Sequence, residues 1–175
     1  MRFRPSGLRP VLAAMPGRLL CAGLLGCAAL ATQDALAVSC SASTVGVAFG
    51  AYDVFSSSPV PGTGSVKVNC SLTTETLVKV NYTISLATGS SNSFVQRTMA
   101  GGGSSLHYNL YTSNSYSTVW GDGSGSTATV SGSMTLIVFF SPTGSATVTV
   151  YGQVPALQDV TVSNYQDNVT VTVSY

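Results

Sequence analysis

The chain has 175 residues, of which 7 are Lys or Arg and 6 are Asp or Glu, so only 7% of it is charged and the formal net charge is +1. Globular domains usually carry about a quarter charged residues, and a chain so short of cations has no basic stripe to neutralise nucleic-acid phosphates. With a single His and few carboxylates, it also has little material for acid–base catalysis or a metal centre. The expectation is a non-enzymatic protein with no cofactor, nucleic-acid partner or small-molecule substrate.

At the N-terminus, Arg2, Arg4, Arg9 and Arg18 precede an apolar run from Leu19 to Ala31. A basic start, a short apolar stretch and a small-residue exit are the parts of a secretory signal peptide. Two A-x-A sites follow, Ala29-Leu30-Ala31 and Ala35-Leu36-Ala37, and the second is preceded by the polar residues Thr32, Gln33 and Asp34. Residues 1–37 are therefore read as the leader and residues 38–175 as one mature domain. A competing reading takes Leu24-Leu25-Gly26-Cys27 as a lipoprotein box, but the apolar run continues past it. That run is too short to span a bilayer, and nothing after it approaches the roughly 18 apolar residues a span needs.

Past Ala37 the charges are Lys67, Lys79 and Arg97 against Asp53, Glu75, Asp122, Asp159 and Asp167. Cys21 and Cys27 leave with the leader, and Cys40 and Cys70 remain as an even pair in an exported chain, which reads as one disulfide. Closing a loop of that size contributes about 3–4 kcal/mol in the chain-entropy description.

The apolar period along the mature chain is two, with Val and Thr dominating, and no stretch carries the i, i+3, i+4, i+7 spacing of a helix. Val45, Val47, Phe49 and Ala51 mark the first strand, and Val66, Val68, Cys70 and Leu72 the second, with Lys67 and Asn69 facing solvent. Val78, Val80, Tyr82, Ile84 and Leu86 mark a third strand whose other face carries Lys79, Asn81, Thr83 and Ser85. The Gly-rich stretch that follows reads as a long loop. Leu106, Tyr108 and Leu110 form a fourth strand. The run from Thr127 to Ser141 is expected to bend at Gly132. Ala146, Val148, Val150 and Tyr151 come next, and Val169, Val171, Val173 and Tyr175 close the chain. About seven strands with frequent turn signals predict an all-β, immunoglobulin-like sandwich.

Motifs with chemical content are scarce. His107 alternates with Leu106 and Tyr108 and is expected to face solvent without partners. Ser124 and Ser126 lack the G-x-S-x-G spacing and a second His. Gly101-Gly102-Gly103 lacks the Lys and helix of a phosphate loop. The sequons at Asn69, Asn81 and Asn168 fall inside Thr-rich strands, and Asp122 is one carboxylate where a cation site needs several.

A set of segments nonetheless carries a resemblance: Cys40, Phe49-Gly50-Ala51-Tyr52-Asp53, Gly64-Ser65-Val66-Lys67-Val68-Asn69-Cys70, Tyr82-Thr83-Ile84-Ser85-Leu86 with Gly89, Arg97-Thr98-Met99, Leu106-His107-Tyr108-Asn109-Leu110-Tyr111, Trp120-Gly121-Asp122-Gly123, and Asp167 to Tyr175. In this order they resemble the spore coat protein U domain family across essentially the whole mature chain. That family is similar to pilins of the archaic chaperone-usher pathway. The resemblance implies a sandwich lacking its last strand and completed by donor-strand addition. It also implies a periplasmic chaperone, an outer-membrane usher and a neighbouring strand-donating pilus subunit as partners, with export through the periplasm to a fimbrium and a part in cell adhesion and biofilm.

The residues themselves give a parallel reason, because the chain closes on the strand at Val169, Val171 and Val173 with nothing after Tyr175 to pair its far side. An open edge exposes unpaired N–H and C=O groups and invites strand addition. Those three valines are the expected groove wall, with Val45, Val47 and Phe49 opposite. Cleavage after Ala37 leaves only Val38 and Ser39 before Cys40, too few for a donor strand of the kind polymerising pilins carry. The expected role is that of a terminal or tip-like subunit, with Phe55, Val60, Tyr116, Val119 and Trp120 as loop candidates for surface contact. The alternatives are a coat protein laid on a cell or spore surface without a pilus, and a free secreted binding module.

Overall fold

A computed structural model describes residues 2–5, 38–73 and 77–175. The apolar run from Leu19 to Ala31, both A-x-A sites and Glu75 lie outside the described residues. The strands are β1 (Arg2–Pro5), β2 (Val38–Ala48), β3 (Val60–Leu72), β4 (Leu77–Leu86), β5 (Arg97–Gly101), β6 (Ser104–Tyr111), β7 (Val130–Ile137), β8 (Thr143–Val154) and β9 (Asn168–Ser174). They form a four-stranded sheet ordered β1-β9-β4-β7 and a five-stranded sheet ordered β2-β3-β8-β6-β5. The two sheets make an all-β, immunoglobulin-like sandwich.

Alternation places the core. In β3, Val66, Val68, Cys70 and Leu72 are buried while Lys67 between them is exposed, and in β4 Val80, Tyr82, Ile84 and Leu86 are buried against exposed Lys79 and Asn81. Leu110, Trp120, Leu136, Val150 and Val154 complete the interior between the sheets. Each fully buried aliphatic side chain removes apolar area worth about 1.5–3 kcal/mol from water, so this layer supplies most of the folding drive. Cys40 and Cys70 sit directly opposite each other on β2 and β3 and are joined as the expected disulfide, across a sequence separation of 30.

Four expectations need correction. The first strand begins at Val38 rather than Val45 and ends at Ala48, so Phe49 and Ala51 lie beyond it. A register shift between Val45 and Ala48 reverses the alternation there, which turns Val45 out to 65% exposure while Val47 goes in at 1%. The Gly-rich stretch after β4 is not a continuous loop. It contains β5, which pairs antiparallel with β6 through a turn at Gly102 and Gly103, whose φ values of 56° and 80° need glycine.

The bend expected at Gly132 is absent, since β7 runs through it in unbroken register with β4. Gly132 lies opposite Tyr82, and a Cβ there would collide with the phenol ring. The glycine accommodates a large neighbour rather than a kink. The chain turns instead after Ile137, where the Ser141 N–H returns to the Ile137 carbonyl at 2.7 Å. His107, expected in solvent, is half-buried with its Nδ1 enclosed, and Gln158 binds its main chain through both an accepted (2.7 Å) and a donated (2.9 Å) hydrogen bond.

Candidate functional site

β9 is a Val/Thr alternation, Asn168-Val169-Thr170-Val171-Thr172-Val173-Ser174, whose three valines are 0%, 2% and 4% exposed. On one side, β4 pairs with its C-terminal half, Val171 to Ser174, in antiparallel register. On the other side β1 pairs with its N-terminal half in parallel register, from Arg2 opposite Asn168 to Pro5 opposite Val171. β1 also lies against β2, the outer strand of the other sheet. The edge strands of the two sheets are therefore bridged by four residues, Arg2–Pro5, that fall in the segment expected to be removed as a leader.

The opposite wall is set by the end of β2. Gly62, Gly64 and Gly152 leave no room for side chains because Val47 and Phe49 press onto them, with contacts a Cβ would make at 2.6–3.0 Å. Val47 is thereby buried, and Phe49 packs edge-on against Tyr108 with ring centroids 5.8 Å apart. Of the three candidates for this wall, Val47 and Phe49 face inward and Val45 does not, for the reason given by the register shift. A cavity of about 440 Å³ opens beside this wall, lined among others by Val47, Phe49, Val60, Val154, Val160 and Tyr165.

Polar groups anchor the start of β9. The carboxylate of Asp167, 5% exposed, accepts hydrogen bonds from the Tyr108 hydroxyl (2.6 Å), the Ser90 N–H (3.0 Å) and the Asn168 N–H (2.8 Å), tying β9 to β6 of the facing sheet. Gly89, at φ 72°, lies so close to Asp167 that a Cβ would collide with the carboxylate. Arg97 is completely buried and donates to the carbonyls of Ala87 (3.1 and 2.8 Å) and Trp120 (2.8 Å) and to Asn109 Oδ1 (2.6 Å), with its guanidinium 5.2 Å from the Phe94 ring centroid. Burial pulls the Arg97 pKa down, opposed by Tyr108 and Asp167, and burial together with the Asp167 hydrogen bond pushes the Tyr108 phenol up.

This clamp was not legible as a unit in the sequence. Arg97, Asn109 and Asp167 occur far apart, and the available signal was that Arg97 is one of three cations after the leader and sits next to apolar strand residues. A buried arginine needs several carbonyl acceptors, and only the fold brings them together.

The five surface candidates separate clearly. Phe55 is 89% exposed. Val60 is half-buried against the core, Tyr116 is half-buried with its ring edge-on to Tyr111 at 5.5 Å, and Val119 is half-buried and bridges to Tyr111. Trp120 is not a surface residue: it is 0% exposed and its Nε1 donates to the Ile84 carbonyl at 3.1 Å. Its main chain bonds to Leu110, which draws the indole between the sheets rather than out on the loop.

A family model described as Spore Coat Protein U domain matches residues 27–172. No curated protein matches the chain. Among solved structures, the chain is similar to one in the CsuC–CsuE chaperone–tip adhesion subunit pre-assembly complex from archaic chaperone-usher Csu pili of Acinetobacter baumannii, with a TM-score of 0.50 and 23% identity. The match covers 79% of this chain and 40% of that one, so the present chain corresponds to well under half of its neighbour's length.

Proposed function

The chain belongs to the Spore Coat Protein U domain family, and on that premise we propose that it is an exported structural and adhesive subunit of a chaperone-usher type pilus, assembled by donor-strand complementation. The observation that carries this reading is the β9 edge. Its buried valines are flanked on the open side only by the leader strand Arg2–Pro5 among the described residues. Removal of a leader ending at Ala37 takes β1 away and leaves the Asn168 to Val171 ladder and the space between β9 and β2 without an occupant. An exposed alternating edge beside an apolar groove is the geometry that a strand from another chain completes.

The occupants in this reading are first a periplasmic chaperone and then the N-terminal strand of a neighbouring subunit, with an outer-membrane usher carrying the assembly to the cell surface. The pre-assembly complex of chaperone and tip subunit to which the fold is similar is in keeping with that order. A tip-like position is supported by β2, which begins at Val38 and pairs from there with Leu72. After cleavage at Ala37 the whole N-terminus is used in the subunit's own sheet, and no segment is left to donate. The role is structural, not catalytic.

The test is thermal unfolding of the chain starting at Val38, alone and with a companion pilin's N-terminal peptide, or with that strand fused after Tyr175. Binding only to the folded state stabilises by about 4 kcal/mol at a thousandfold excess over Kd, so the melting temperature should rise by many degrees. An unchanged melting temperature would mean that the sandwich is complete without a donor. Fibres formed by this chain alone would contradict the tip position.

A further inference from the structure

The outer face of the five-stranded sheet carries a second arrangement, remote from the β9 edge. Register pairing of β2, β3 and β8 places Ser41, Asn69 and Ser145 in one cross-strand row and Ser43, Lys67 and Thr147 in the next. These rows repeat about every 6.8 Å along strands about 4.8 Å apart. Most of their members are exposed, and Lys67 is the only charged group among them. Side-chain hydrogen bonds within the described residues leave the hydroxyls of Ser41, Ser43, Ser145 and Thr147 uncommitted, as are both ends of the Asn69 amide. A shallow hollow of about 370 Å³ opens in the lattice at Ser41, Asn69 and Ser145.

At one end of the lattice the chemistry changes. Tyr151 follows Thr147 and Thr149 on the same face of β8, and its cross-strand partner on β6 is Tyr111. The Tyr116 ring stands edge-on to Tyr111, with ring centroids 5.5 Å apart. The three tyrosines are half-buried, so their rings are fixed while part of each remains accessible. Rigid tyrosines offer broad amphipathic contact at low entropic cost, and serine and asparagine supply adaptable hydrogen bonds, a composition that recurs in binding surfaces.

We infer that this face binds a neutral polysaccharide chain, which lies along β8 with sugar C–H faces on the Tyr111–Tyr116–Tyr151 platform and hydroxyls exchanging hydrogen bonds with the Ser/Thr/Asn rows. The surface itself selects that occupant. An anionic polymer needs several cations and finds only Lys67; an apolar surface needs apolar side chains, and these rows carry none, Val45 standing in the adjoining row with Ser65 and Thr149. An uncharged polymer that is apolar on its ring faces and rich in hydroxyls at its edges satisfies both halves of the surface. The inference does not depend on the pilus reading, because it uses a different sheet face and no added strand.

The experiment is native affinity electrophoresis of the full chain, in which β1 occupies the β9 edge, through gels containing laminarin, hydroxyethyl cellulose or the anionic control alginate. Retardation is expected in at least one neutral gel. Tyr151→Ala should weaken it about tenfold, the effect of removing a buried aromatic anchor, and Tyr151→Phe should retain most of the retardation. Thr147→Asp, at an exposed position whose substitution leaves the core untouched, should abolish it even if the Tyr151 variant folds poorly. No retardation in either neutral gel, retardation unchanged by Thr147→Asp, or retardation by alginate alone would overturn the inference. Loss of the strand-induced thermal shift, by contrast, would bear on the pilus reading and leave this one standing.

Discussion

Two long-range ladders of the sandwich differ in what holds them. β3 pairs with β8 over twelve register positions, lies between β8 and β2, and is cross-linked to β2 by Cys40–Cys70. The open side of β9 is paired over four positions, in parallel, with residues that precede the expected cleavage site. Both strands show the same Val-rich alternation, and Val66 and Val68 are buried as fully as Val169, Val171 and Val173. Side-chain pattern therefore does not distinguish the two strands; in the proposed reading, the source of the neighbouring backbone does.

The largest effect should come from the buried Arg97 cluster, which stands between these two regions in the core. Arg97→Ala removes the donor for Ala87, Trp120 and Asn109 and should cost about 3–5 kcal/mol in urea unfolding, because the loss strands several buried acceptors at once. A loss below about 1 kcal/mol would show that water replaces the guanidinium and that the clamp is dispensable.

Next is the closed region. Replacing Cys40 and Cys70 with alanine should lower stability by about 3–4 kcal/mol, the unfolded-state constraint of a 30-residue separation. The stabilisation gained from an added strand should stay unchanged, since the bridge joins β2 to β3 and not to β9. If the strand-dependent gain falls with the disulfide, the two regions are not separate.

A smaller and more local change is Val171→Ala, which removes two buried methyl groups and should cost about 2 kcal/mol. More of that loss should appear in the complemented protein than in the free one, because only the complemented protein closes the groove around Val171. Equal losses in both would mean that the groove is already packed.

The smallest effect is at the Tyr108–Asp167 contact. Tyr108→Phe should cost about 1–2 kcal/mol, since Asp167 keeps its two backbone donors. The wild-type contact also sets an alkaline limit. The folded phenol has a pKa raised above the usual 10.0 by burial and by Asp167, so its contribution is complete below pH 10 and is lost as the unfolded phenol ionises at higher pH. Melting temperatures measured from pH 8 to pH 11 should therefore fall less steeply at the upper end for Tyr108→Phe than for the wild type.

Most of the sandwich was readable because alternation reports directly on a half-buried strand: Val66 to Leu72, Val78 to Leu86 and Val169 to Val173 all lie where their pattern put them. The misreadings have local causes. Ser39 and Ser41 hid the first half of β2, whose inward positions are small residues such as Cys40 and Ala42. The bulge at Val45 reversed the parity of a strand whose spacing looked regular. Gly132 signals a bend by composition, but here it makes room for Tyr82, its cross-strand partner on β4. The buried valines of β9 followed from period two, whereas the Asp167–Tyr108 and Arg97 contacts join residues up to 59 positions apart and have no periodic trace.

The central claim is that β9 is an acceptor edge, and native-state hydrogen exchange on the chain starting at Val38 tests it most directly. Amides of β3 from Val66 to Cys70 should be protected with or without a donor strand. Amides of Val169 and Val171 in β9 should exchange rapidly in the free subunit and become protected when the strand is added, because they point to the vacant side, whereas Thr170 faces β4, its carbonyl bonded to the Ala87 N–H at 2.9 Å, and the Asn168 N–H is held by Asp167. Equal, strong protection of Val169 and Val171 before and after addition would contradict the account.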